Sequence, residues 1–181
     1  MTELNTMPDY DILASLLEYP QENYKALLQS YQINLPDNKN ILKPFIEYVN
    51  NHSFESIQEL YTQTFDVNPI CSLYSGIHIF GEENFNRGAY MARLKQAYQE
   101  HGLNCEPELP DFIPWLLRLS KRLKDEKKYT DLLNECILPP IDSILKTLNE
   151  SPSPYKTLIL SVKNMIEKEL HTASEIKEVK I

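Results

Sequence analysis

The stretch YKTLILSVKNMIEKEL, residues 155–170, decides the fold. Tyr155, Leu158, Ile159, Val162, Met165, Ile166 and Leu170 follow a three-and-four spacing that lines them along one face of an α-helix. SPSP at 151–154 sets this helix off from what precedes it. Beyond His171 the stripe fades into TASEIKEVKI, which predicts a mobile C-terminal tail over 171–181.

The same period recurs upstream. Ile12, Leu13, Leu16 and Leu17 form a stripe between Pro8 and Pro20, and Tyr24, Leu27, Leu28 and Tyr31 form the next. A third holds Ile41, Leu42, Phe45, Ile46 and Val49, with Pro44 expected in its first turn or at a kink. Ser53 is placed to cap a fourth helix carrying Ile57, Leu60, Tyr61 and Phe65. A helix from about residue 82 or 86 to His101 should end at Gly102, in the left-handed conformation that glycine tolerates. Asp111 is placed to cap a helix containing Trp115, Leu116, Leu119 and Leu123, with Pro114 in its first turn. Leu132, Leu133, Cys136 and Ile137 belong to another, expected to break or kink at Pro139-Pro140 before the stripe resumes at Ile141. No segment alternates with period two. The expected fold is all-α, a single-domain bundle of about eight or nine helices over residues 1–170.

Composition agrees. The 181 residues include four glycines, about 2 % against roughly 7 % in average proteins, and all four lie between 76 and 102. Such scarcity disfavours β-sandwiches and propellers, which need many tight turns at positive φ. Neither a GxxxxGK[ST] loop nor a GxGxxG run is present, so no glycine-built phosphate cradle is expected. The acidic start MTELNTMPDYD lacks a signal-peptide pattern, and the apolar runs are too short to cross a bilayer; the expected location is the cytoplasm.

The net charge of −8 is unevenly distributed: residues 1–90 carry 12 acids and 4 bases, residues 91–181 carry 14 of each. An acidic half repels nucleic acid and anionic membrane and attracts basic segments. Three cysteines (Cys71, Cys105, Cys136) without a CxxC spacing, and four histidines without ligand spacing, point to neither a disulfide framework nor a metal site. Catalytic candidates are few: Asp66, His78, and the carboxylates Glu108 and Asp111 three residues apart. Each has a structural alternative, since Asp111 suits a helix cap and Glu108 suits solvent or an arginine. The basic run from Arg118 to Lys128 reads as a solvated helix face. What stands out is residues 61–114, where the glycines and many polar residues concentrate on a helical scaffold, the pattern of a peptide- or protein-binding surface.

Three segments in order, YTQTFDVNPICSLYSGIHIFG (61–81), NRGAYMARLKQAYQEHGL (86–103) and ELPDFIPWLLRLS (108–120), resemble the respiratory nitrate reductase delta-subunit family, the NarJ-type molybdenum-cofactor assembly chaperones. More distant relatives serve trimethylamine-N-oxide and dimethyl-sulfoxide reductases. The resemblance rests on Phe65-Asp66, Ser72-Leu73 and His78-Ile79-Phe80-Gly81; on Arg87-Gly88 leading to Tyr98 and Gly102; and on Glu108-Leu109-Pro110-Asp111 followed by Pro114. The family usually has Gly-Asp-Ser-Arg-x-Arg-Gly where this chain has GEENFNRG (81–88), one residue longer and without the first arginine.

The resemblance implies a cytoplasmic chaperone, not an enzyme, with no cofactor of its own. Its partner would be the apo catalytic molybdopterin subunit of a respiratory reductase, bound mainly through that subunit's N-terminal segment. The chaperone would hold the subunit for molybdenum cofactor insertion, with cofactor-delivery proteins as further partners, and without nucleic acid or stable membrane association. An equivalent chaperone for another molybdopterin oxidoreductase, a permanent structural subunit, or a hydrolase or nucleotide-binding helical protein are the alternatives. For an amphipathic client helix, Tyr61, Phe65, Leu73, Phe112 and Trp115 are the expected groove lining. Asp66, Arg87, Glu108 and Asp111 are expected to hold the central loops together.

Overall fold

A computed structural model describes residues 10–34 and 39–178. Ten α-helices follow in chain order: α1 (Tyr10–Leu16), α2 (Tyr24–Asn34), α3 (Lys39–Asn51), α4 (Phe54–Tyr61), α5 (Ser75–Phe80), α6 (Phe85–Glu100), α7 (Ile113–Ser120), α8 (Glu126–Asp131), α9 (Leu138–Leu148) and α10 (Tyr155–Glu178). Helices α8 and α9 run into one another through a π-helical segment, Leu132–Ile137, so the described chain forms nine rods. No strand forms among the described residues; one isolated antiparallel bridge joins Tyr74 to Phe112. The all-α bundle expected from the periodicity is the observed fold.

The deciding stretch forms the spine. Tyr155, Leu158, Ile159, Val162, Met165 and Ile166 are all buried, and α10 packs against α3 and α9. Each such side chain contributes about 1.5–3 kcal/mol of transfer free energy, so this one face carries much of the core. On the other side α1 packs on α7, and α7 on the π segment before α9.

Helix ends follow local chemistry. The Ser53 side chain accepts from the Ser56 N–H at the start of α4, and the Asp125 side chain accepts from the Lys128 N–H at the start of α8. At the end of α6, Gly102 sits at φ 68°, with its N–H donating to Gln99 and that of Leu103 to Tyr98, the paired bonds of a Schellman ending.

Three expectations change. Pro44 lies inside α3, beyond its first turn. The prolines at 139 and 140 do not break the rod; the backbone widens to the π form just before them, and the Leu138 N–H donates to the Leu133 carbonyl five residues back. That wider turn ends where two successive residues bring no N–H. The last helix does not stop near His171 but continues to Glu178. Residues 172–178 hold neither glycine nor proline, and extending a nucleated helix costs little. Pro8 and residues 179–181 lie outside the described residues. Among the described residues no helix is long and apolar enough to cross a membrane.

Candidate functional site

The site begins where α4 loosens. After Tyr61 the chain takes one π turn, Thr62–Asp66, closed by the Val67 N–H donating to the Thr62 carbonyl. Inside it, buried Thr64 donates to the Leu60 carbonyl at 2.7 Å and meets the Ser153 hydroxyl at 3.2 Å, tying the turn to the start of α10. Asn68 then reverses the chain at φ 49°, and the Cys71 N–H returns to the Thr64 carbonyl. The π turn shifts the register so that Phe65 and Asp66, consecutive residues, both face one cavity.

That cavity is a groove of about 820 Å³. Tyr61, Phe65, Leu73 and Phe112 give it an apolar, largely aromatic floor, and Glu18, Asp66, Glu82 and Glu108 bring four carboxylates to it. No lysine, arginine or histidine is among its lining residues. Five large apolar side chains are exposed on the described surface: Tyr19, Val67, Ile70, Phe85 and Leu109. Tyr19 lines the groove, and Val67, Ile70 and Leu109 each adjoin a lining residue in the chain. Four of these five side chains therefore lie on the chain segments that form the groove, as expected of a binding surface.

Behind the floor stands a buried ion pair. Asp111 has a fully buried side chain and Arg87 one only 12 % exposed; the Arg87 Nε donates to Asp111 Oδ2 at 2.9 Å. The same Oδ2 accepts from the Gly76 N–H at 3.2 Å, and the Asp111 carbonyl accepts from the Ser75 N–H at 2.7 Å. The Ile113 N–H donates to the Leu73 carbonyl at 2.9 Å. These bonds lock the starts of α5, α6 and α7 together. A methyl group on Gly76 would meet Asp111 Oδ2 at 2.6 Å, so the pair leaves room for glycine alone.

Two further struts shape the walls. The Tyr74 hydroxyl donates to Glu108 Oε2 at 2.7 Å, and the Tyr98 hydroxyl to the Pro110 carbonyl at 2.7 Å. Burial first, then the hydrogen bond and charge of Glu108, hold the Tyr74 phenol well above its ordinary pKa, so it remains a neutral donor. His78 spans the Ser72 carbonyl (2.8 Å) and the Ser143 hydroxyl (2.9 Å), fixing the groove loop to α9. At the rim, Arg118 grips Glu18 with two nitrogens at 2.6 and 2.8 Å and stacks over Trp115 at 4.8 Å.

The structure thus brings together Tyr61, Phe65, Asp66, Ser72, Leu73 and Glu108 at the groove, with Arg87, Asp111 and His78 as supports. Leu109 is exposed, Pro110 offers its carbonyl to Tyr98, and Pro114 is buried in the first turn of α7. Gly81 ends α5 at φ 90°. Gly88 is exposed within α6, with open space where a Cβ would stand.

Four expectations are corrected. Asp111 does not cap α7, whose N-cap is Phe112; its carboxylate is taken by Arg87 and Gly76. Glu108 pairs with a tyrosine, not with an arginine or solvent alone. Trp115 does not line the groove; it packs edge-on to Tyr98, 6.3 Å between centroids, and lies under Arg118. Asp66 does not hold the loops: it is exposed, and its side chain makes no hydrogen bond or ion pair among the described residues. Glu18, Tyr19, Tyr74 and Gly76 escaped the sequence reading. The acidic excess of the first half pointed to charge without placing Glu18, and the glycine cluster marked Gly76 without revealing its neighbour.

Among the described residues no group of histidine, cysteine, aspartate and glutamate could hold a metal ion. Cys71, at the groove, is buried, which pushes its thiol up to about 12. What the arrangement offers is an aromatic floor, carboxylates and a braced backbone.

Fold and groove together define an all-α protein built around a peptide-sized, acid-lined cleft. The chain belongs to the nitrate reductase delta subunit family, whose model matches residues 32–157 and so takes in every segment that shapes the groove except the loop between α1 and α2. It is 28 % identical over 156 residues to the "Probable nitrate reductase molybdenum cofactor assembly chaperone NarJ" of Bacillus subtilis (strain 168), covering 83 % of each chain. It is 24 % identical over 169 residues to the "Probable nitrate reductase molybdenum cofactor assembly chaperone NarW" of Escherichia coli (strain K12), covering 93 % of this chain and 72 % of that one.

Proposed function

We propose that this protein is an assembly chaperone, not a catalyst, for the catalytic subunit of a nitrate reductase. It binds the apo subunit's N-terminal segment in the groove and holds the subunit open to molybdenum cofactor insertion before the complex docks at the membrane. The observation that carries this reading is the groove itself: aromatic floor, four carboxylates, no cation in the lining, and exposed apolar side chains on the segments that form it. An amphipathic helix with apolar anchors on one face and arginine or lysine beside them is its chemical complement. The family and the names of the two relatives supply the client class.

The test is binding of a labelled peptide comprising the first residues of a nitrate reductase catalytic subunit from the same organism. Asp66 is exposed and unpartnered, so Asp66→Lys leaves the fold intact while reversing a groove charge. Affinity is expected to fall at least about tenfold, and the wild-type association rate to fall steeply between low and high salt. Unchanged affinity in Asp66→Lys together with a salt-independent rate would sink the proposal. Affinity capture from anaerobically grown cells identifies the client directly; a molybdopterin oxidoreductase of another substrate would move the assignment to that enzyme.

A further inference from the structure

Helix α6 presents a face that nothing in the described chain covers. Phe85, Gly88, Ala89 and Ala92 follow the three-and-four spacing of one helix face and all four are exposed, Phe85 completely, at 102 %. An exposed interior glycine costs a helix about 1 kcal/mol relative to alanine, and no neighbour within 4 Å requires a glycine at 88. The charges flanking this face are asymmetric. Glu82 and Glu83 precede the helix, exposed and without ion pairs among the described residues; Arg93, likewise exposed and unpaired, lies midway along it, and Lys95 near it holds Glu106 at 3.2 Å.

We infer that this face pairs with a second copy of this chain, α6 against α6 and antiparallel. A two-fold axis between Gly88 and Ala89 sets Phe85 of each copy over Ala92 of the other, a large side chain over a small one. It sets the backbones at 88 and 89 close together, where a glycine permits the approach. The same axis brings Glu82 and Glu83 of each copy to Arg93 of the other, twice over. A parallel pairing would instead set acid on acid and base on base. A single helix pair covers less surface than the roughly 1,200–2,000 Å² of stable interfaces, so the dimer is weak and concentration-dependent. Because Glu82 also lines the groove, the dimer sits beside the client site without occupying its floor.

The experiment is sedimentation equilibrium of the full chain, without client, from about 1 µM to about 0.5 mM, with dimer half-populated near about 100 µM. Phe85→Glu is expected to weaken the dimer at least about tenfold, with unchanged circular dichroism because this side chain makes no internal packing. Glu83→Arg and Arg93→Glu are each expected to weaken it, and the two combined to restore it, which a merely disturbed helix would not do. A chain that stays monomeric throughout, or a dimer indifferent to Phe85→Glu, overturns the inference. So does a monomer in which Phe85→Glu weakens client-peptide binding, since the face would then belong to the client. Asp66→Lys, which tests the groove, should leave the dimer unchanged, so the two readings fail separately.

Discussion

Gly76 has no room for a methyl group. Its Cβ would stand 2.6 Å from Asp111 Oδ2 and 2.9 Å from Arg87 Cγ, and both neighbours belong to a buried ion pair that cannot swing into solvent. Gly76→Ala must push the pair apart or shift α5, and either also strains the Gly76 N–H bond to the same carboxylate. Overpacking costs about 1–3 kcal/mol and a broken buried pair about 3–5 kcal/mol, so a loss of about 2–4 kcal/mol is expected. Urea denaturation followed by circular dichroism checks it; a midpoint within error of wild type would mean that the cluster yields without cost. Asp111 also shows why residue roles were only partly legible. Its sequence neighbourhood, polar residue then Phe, Ile and Pro, is that of a helix cap, but its partner Arg87 lies 24 residues away. Local chemistry ranks the options, and a long-range guanidinium in a dry interior outweighs a backbone N–H that water can otherwise satisfy.

At the scale of the element, two glycines of α6 make opposite demands. Gly102 closes the helix at φ 68°, where an L side chain is strained, so Gly102→Ala is expected to destabilise by about 1 kcal/mol. Gly88 lies in the exposed helical interior with open space around it, so Gly88→Ala is expected to stabilise the monomer by about 0.5–1 kcal/mol. Thermal unfolding at low protein concentration, where any dimer is absent, should move the two midpoints in opposite directions; movement in the same direction would contradict this account of α6. The ending at Gly102 was readable because its signal is local, a glycine just past an apolar stripe. So were the Ser53 cap and the stripes themselves. The π segments at 62–66 and 132–137 were not, because no residue type prefers an i to i+5 bond. They arise where packing or missing donors outweigh regular helix geometry. The groove inherits that illegibility, since the turn that aims Phe65 and Asp66 is itself a π turn.

On the whole-molecule scale, the bundle is laced with tyrosine. The Tyr24 hydroxyl donates to the Leu16 carbonyl at 2.6 Å and meets the Tyr155 hydroxyl at 3.3 Å, while the Tyr61 and Phe65 rings pack on Tyr155. These contacts join α1, α2, α4 and α10 across more than a hundred residues of sequence, and they set the back of the groove. Periodicity located the tyrosines on buried faces, but the pairing of their hydroxyls needed the assembled bundle. Burial is the leading cause that raises the phenol pKa of Tyr10, Tyr24, Tyr61, Tyr98 and Tyr155 above its ordinary value. The folded state therefore binds phenolic protons that the unfolded chain releases near pH 10. The stabilisation is fully present below that pH and is lost as pH rises from there toward the folded-state values. Each tyrosine steepens the loss toward about 1.4 kcal/mol per pH unit, so five of them exhaust a typical reserve of about 5–15 kcal/mol within a few units above pH 10. Tyrosinate absorbance and helical circular dichroism, followed together in an alkaline titration, should show these phenols ionising in the same cooperative step that unfolds the helices. Ionisation of all the tyrosines with the helical signal intact would show that the bundle opens to hydroxide without unfolding, and that its tyrosines do not hold the helices together as the hydrogen bonds indicate.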